Sequence, residues 1–196
     1  MCSNYEIIGD ISKLKSRFKL QCLSQIPNKK NIRPANMAPV LDKERKLRVL
    51  TWGIPRPWQD GKDAQLIINA RAETVAKKST FRPFLNRRCL VPATAWFEWR
   101  KSCGKKLKNR IYMKDKLPFT FAGLASENHF TIITCESTST IAHIHKRMPL
   151  VLTPDTENNW LDIQEPFESV AKSLFPQVSY SLRFDEEQPA QFDLFT

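Results

Sequence analysis

Apolar and polar positions along this chain alternate over short distances and divide it into brief strands and briefer helices. In GDISKLKSRF, Ile11, Leu14 and Phe18 recur at helical spacing behind Asp10 or Ser12 as a cap, which predicts a short amphipathic helix. QIPNKKNIRPANMAPVL carries three prolines and no helical period, and reads as an extended loop. LRVLTWGI and AQLIINA are apolar runs of strand length. ETVAKKSTF and FRPFLNRR predict two short helices, and CLVPATAWFEWR is rich in β-formers with aromatic residues crowded at its end. NRIYMK, PFTFAGL and HFTIITCE follow as three strands separated by turn-sized gaps, then NNWLDI and FESVAKSLF as helices. Strands and helices mix without a regular β-α-β alternation. The pattern therefore predicts an α+β fold: one domain with a mostly antiparallel, curled or barrel-like sheet and short flanking helices. A length of 196 residues is enough for such a domain to bury its own core. We place it at residues 1–184 and set residues 185–196, DEEQPAQFDLFT, apart as a loosely held acidic tail.

Charge adds a partner to this picture. The formal net charge is +11, and its distribution is uneven. Arg71 to Lys116 holds 14 Lys and Arg against three acids, whereas Pro154 to Thr196 holds nine acids against Lys172 and Arg183. A local basic surplus of that size points to a polyanion, most simply a nucleic acid. No run approaches the ~18 apolar residues of a membrane span. Cysteines at 2, 22, 89, 103 and 135 form no CxxC pair and follow no signal-peptide run, so a reducing cytosol is the expected compartment.

Several chemistries are excluded by absence: there is no GxxxxGK[ST] loop, no GxGxxG and no HExxH. His143 and His145 lie two apart, which on a strand puts them on one face, but no cysteine or carboxylate cluster accompanies them and no metal or cofactor is expected. Asn69, Arg71 and Glu73 alternate with Ala70, Ala72 and Thr74, so an extended backbone points all three to one side. Glu98 stands between Phe97 and Trp99, where desolvation would raise its pKa and suit it to proton transfer; the competing reading pairs it with an arginine at a strand end. The chain opens MCSN, so removal of Met1 would leave Cys2 with both a free amine and a thiol.

Cys2, NIRPANMAPVL, the tryptophan motif Trp52 to Trp58, NARAET, FRPFLNRRCLVPA, WFEW, PFTFAGL, FTIIT and HKRMPLVL occur in that order. Together they resemble the SOS response-associated peptidase (SRAP) family, from Cys2 to about Trp160. The resemblance implies a covalent sensor of abasic sites in single-stranded DNA, acting as a monomer in the cytoplasm, at the nucleoid in a bacterium or in the nucleus of a eukaryote. Cys2, freed of Met1, would form a Schiff base with the open sugar and close to a thiazolidine. It further implies Asn69 holding the sugar or the Cys2 backbone, Glu98 shuttling protons and His145 assisting ring opening and reversal. Arg71 would grip a flanking phosphate, Trp52 and Trp58 would stack on bases or pack in the core, and Arg147 would contact phosphate or brace its strand. The chain departs from the family pattern at Ser3 and Asn4, where Gly-Arg is usual, at Lys146, and in a one-residue shift within WGIPRPW. Two rival readings are a non-covalent single-stranded DNA binding module and a cysteine peptidase acting on other proteins.

Overall fold

Two runs, FTFAGLA and HFTIITCE, are buried at successive rather than alternate positions, the mark of strands covered on both faces, and the fold is built around them. The structure, a computed structural model, describes residues 2–9, 11–18, 28–56, 65–174 and 181–187. In chain order the first elements are β1 (Tyr5–Ile7), α1 (Ile11–Phe18), β2 (Lys29–Ile32), β3 (Met37–Leu41), β4 (Leu47–Trp52), β5 (Ile54–Pro55), β6 (Leu66–Ile67) and β7 (Asn69–Arg71). Two 3₁₀ segments follow, Val75–Lys77 and Ser79–Phe84. Then come β8 (Arg88–Ala93), β9 (Ala95–Ser102), β10 (Lys105–Met113), β11 (Phe119–Ala125), β12 (His129–Glu136), β13 (Arg147–Pro149) and β14 (Val151–Leu152). Helices α2 (Pro154–Leu161) and α3 (Phe167–Leu174) precede the last strand, β15 (Leu182–Glu186).

Strands β12, β4, β3, β8 and β11 pair in that order, and β11 pairs back to β12, closing a five-stranded barrel. All its pairings are antiparallel except β12 with β4. A second sheet, β15-β10-β9-β1-β2, packs beside it. Aromatic rings join the two: Tyr5 of β1 meets Trp52 at 5.2 Å and Phe121 at 5.8 Å, and Trp96 of β9 meets Phe121 at 6.0 Å, all edge-on. Such pairs contribute about 0.5–1.5 kcal/mol each beyond the area they bury. The fold is thus the α+β, largely antiparallel, barrel-like domain that the pattern predicts.

Local readings change in four places. The proline-rich loop is in fact two strands, β2 and β3. Pro34 falls in the turn between them, and Pro39 lacks an N–H where β3 needs none on its far side, since β3 meets β8 only at Leu41 and Leu90. AQLIINA splits at Ile68, whose carbonyl accepts from both Trp52 Nε1 and the Ile132 N–H, so β6 pairs with β5 and β7 with β12. The two helices read between Glu73 and Arg88 are 3₁₀ turns, with Pro83 inside the second. The His143 segment is a turn and not a strand. Asp185 and Glu186, the first residues of the acidic segment, belong to β15, while residues 188–196 lie outside the described residues. So does the proposed cap Asp10.

Candidate active site around Cys2

Residue 2 is placed by register. β1 pairs antiparallel with β9 through Tyr5 opposite Trp96, and the Phe97 N–H donates to the Asn4 carbonyl at 2.9 Å, so the chain before Asn4 runs back along β9 toward Glu98. From the barrel side, β7 lies parallel to β12 and presents Asn69, whose Nδ2 donates to the Cys2 carbonyl at 2.6 Å. Cys2 is therefore held where the two sheets meet. Its thiol is fully buried and donates weakly to the Asn4 carbonyl at 3.8 Å. Burial first, and then the Glu98 charge, push the thiol far above its usual range, so it is kept protonated.

Glu98 is 2% exposed, and desolvation raises its carboxyl above the usual range against the positive charges of the chain's amino terminus and His145. Glu98 and His145 line one pocket of about 330 Å³ with Trp99, Lys101 and Lys106. His145 reaches it from the turn after β12, where Nδ1 lies 3.0 Å from the Arg147 N–H and 2.9 Å from its carbonyl, which fixes the ring by that edge. A protonatable acid, an imidazole and two lysines thus face one cavity beside residue 2.

The other expected residues divide. Arg71 is exposed at the end of β7, and among the described residues no ion pair engages its guanidinium. Arg147 spends its fork on Glu73, at 2.7 and 3.0 Å, and on the Thr134 carbonyl at 2.7 Å, so it braces β13 against β12 and the turn after β7. Trp52 is corrected: it is 0% exposed, stacks on Phe130 at 6.4 Å and donates to Ile68, so it is a core residue with no face for a base. Gly53 turns the chain there at φ +115°, and a Cβ on it would meet Leu66 at 2.7 Å. Trp58 lies outside the described residues. Lys101 on β9 and Lys106 on β10 also line the Glu98 pocket, and no motif in the sequence marks them. Asn4 is 2% exposed and donates to Asn31 Oδ1 at 2.9 Å, tying the start of the chain to β2. Among the described residues no group of three or more His, Cys, Asp and Glu could hold a metal.

A closed barrel and a flanking sheet that hold an early cysteine near a buried acid and an imidazole, on a basic chain, define a class of proteins by fold and site. The chain belongs to one such family, SOS response associated peptidase (SRAP), whose model matches residues 1–186. It is similar to Abasic site processing protein YoqW of Bacillus subtilis, 31% identical over 192 residues, covering 89% of this chain and 86% of that protein. YoaM of the same organism, also named an abasic site processing protein, is 38% identical over 141 residues, 66% of this chain and 62% of its own length. A crystal structure from Bacteroides thetaiotaomicron shares the fold with a TM-score of 0.83 at 25% identity, covering 95% of this chain and 92% of that one.

Proposed function

We propose that this protein processes abasic sites in DNA by capturing them covalently in single strands, through Cys2 once Met1 has been removed. The relatives' names supply the lesion, and the basic surplus supplies the affinity for phosphate. The observation that carries the reading is the 2.6 Å bond from Asn69 to the Cys2 carbonyl, which holds residue 2 beside the pocket of Glu98 and His145. Asn69 Oδ1 is buried without a hydrogen bond among the described residues and is available to a donor such as the freed amine.

The chemistry then follows. The abasic sugar opens to an aldehyde, with His145 moving the ring proton. The α-amine of Cys2, with an ordinary pKa of about 7.7–8.0, is partly neutral and attacks the carbonyl carbon. Glu98, whose hold on a proton is strengthened by burial, gives one to the departing oxygen; one water leaves and an imine forms. The thiol then adds across the C=N bond: sulfur bonds to carbon, the thiol proton ends on nitrogen, and a five-membered thiazolidine closes. An internal cysteine has no free amine to begin this. Glu98 also serves Met1 removal as the proton shuttle.

A specific observation favours the non-covalent alternative, the burial of the Cys2 thiol. One experiment separates the two. Intact mass should show Met1 lost, and mixing with a single-stranded oligonucleotide bearing one abasic site should give a heat-stable species at the summed mass less one water, absent in Cys2→Ala. Retention of Met1 without an adduct would leave only non-covalent binding.

A further inference from the structure

Beside the site lies a buried polar atom that the chemistry above does not use, the amide oxygen of Asn109. Asn109 stands in the middle of β10, 0% exposed, and its Nδ2 donates to the Leu107 carbonyl and to Glu186 Oε2, each at 3.1 Å. A carbonyl and a carboxylate only accept, so these partners fix which end of the amide is nitrogen. Its Oδ1 is buried and takes no hydrogen bond among the described residues. An acceptor left in that state costs stability unless a donor can reach it.

Strand register says which donor can. Asn109 is directly opposite Glu186 of β15 on one side and directly opposite Glu98 of β9 on the other. Residues opposed in this way share a sheet face, with Cβ atoms about 4.5–5.5 Å apart. With Nδ2 turned to Glu186, the amide turns Oδ1 away from β15 and toward the side of Glu98. A carboxylate has nothing to donate, so of the two forms of Glu98 only the one carrying a proton can satisfy that oxygen. We propose that Asn109 is a positioning residue whose amide oxygen accepts a hydrogen bond from the protonated Glu98 carboxyl and thereby favours the proton-bearing form. The inference rests on the proposed role of Glu98 as proton shuttle for its use, whereas the hydrogen bond itself needs no DNA.

Glu186 strengthens the effect. Arg100 donates to it from Nε at 2.8 Å and from a terminal nitrogen at 2.7 Å, and this fork holds the Glu186 carboxyl below the usual carboxylate range. An anion on the nitrogen side polarises the amide and makes Oδ1 the better acceptor. The other ionisable groups around Glu98 are the amino terminus and Cys2 thiol at the start of the chain, His145 from the turn after β12, Lys101 on its own strand and Lys106 on β10. The cations among them favour a charged carboxyl, and Asn109 opposes them by serving the neutral one.

The test follows the Glu98 carboxyl by NMR of its isotope-labelled carbon across pH, with the signal assigned by its absence in Glu98→Gln. Asn109→Ala removes the acceptor, and Glu98 should titrate about one pH unit lower than in wild type. Asn109→Asp keeps an acceptor of the same shape and adds a charge, so Glu98 should titrate higher than in wild type. Glu186→Gln, at a partly exposed position, should lower it by less than Asn109→Ala. A merely structural role would lower the melting temperature of both Asn109 variants without moving the two titrations in opposite directions. In adduct formation on an abasic oligonucleotide, the pH limb that is lost in Glu98→Gln should follow the same order. Titrations that move in this order while wild type forms no adduct would uphold the Asn109 bond and sink the covalent reading alone. The proposal is overturned if Glu98 titrates as in wild type in all three variants, or if Asn109→Asp lowers its titration.

Discussion

Glu157 and Glu98 are both buried carboxylates, 0% and 2% exposed, and the fold handles them in opposite ways. Glu157, on α2, accepts from Arg17 at 2.7 Å, Arg45 at 3.1 Å and the Thr120 hydroxyl at 2.8 Å. Those partners come from α1, the turn between β3 and β4, and β11, so one carboxylate ties the helical cap to the barrel. Glu98, on β9, faces a solvent-reachable pocket, and burial disfavours its charged form. In one region the charge is surrounded by guanidinium groups and fixes structure. In the other, burial raises the carboxyl's hold on a proton, which suits it to proton transfer.

The largest effect expected from this contrast is on stability. Glu157→Ala leaves the half-buried Arg17 and Arg45 without their shared anion and the buried Thr120 hydroxyl without its acceptor, and should cost about 3 kcal/mol in urea unfolding, with little change in adduct rate for the fraction that remains folded. An equal loss of rate in that fraction would break the division of labour. Glu98→Gln should do the reverse. It keeps the shape, removes the proton donor, and should slow adduct formation by about 10² to 10⁴ in single-turnover assays.

The same variant sharpens the comparison through pH. The Glu98 carboxyl has a higher pKa folded than unfolded, so between the two values the folded state holds the extra proton. Its contribution to stability is fully present below the unfolded pKa and is lost as pH rises through the folded one. Glu98→Gln should therefore melt higher than wild type at about pH 8, and the gap should close toward about pH 4. A gap that widened on acidification would mean that Glu98 is held as an anion, like Glu157.

The two carboxylates also differ in how legible they were. Glu98 could be read locally as a carboxylate in an apolar stretch of β9, where burial raises its pKa. Glu157 could not: Arg17 is 140 residues away and Arg45 is 112, and no periodicity links positions that distant. The apolar runs of β11 and β12 marked strands but gave no sign that β12 would pair parallel with β4 and so close the barrel. Trp52 misled for a physical reason. A tryptophan in a polar motif reads alike whether its partner is a base or, as here, Phe130. Asn4, one of the departures from the family pattern, becomes understandable only in three dimensions, where it is buried against Asn31, whereas nothing in the structure explains Ser3.

Asn69 stands between the extremes, since it holds backbone rather than exchanging protons. Asn69→Ala removes one side-chain hydrogen bond, worth about 1 kcal/mol, and should lower the adduct rate by roughly five- to tenfold while shifting stability modestly. A larger rate loss, matching Glu98→Gln, would move Asn69 from positioning to chemistry.

The smallest expected effect falls on Arg71, which contrasts with Arg17 and Arg45 as those carboxylates contrast with each other. Arg17 and Arg45 are spent on Glu157, whereas Arg71 projects from β7 beside Asn69 and is engaged by no ion pair among the described residues. If it grips one phosphate, Arg71→Ala should weaken single-stranded DNA binding by a similar factor for every sequence. The slope of log K against log salt should become shallower by about 0.7, with the melting temperature unchanged. Arg45→Ala should give the opposite pair of results, a lower melting temperature with the salt slope intact. Arg71→Ala that melts early and keeps its slope would place Arg71 with the structural arginines and leave the lysines of the pocket, Lys101 and Lys106, as the cations that meet the strand.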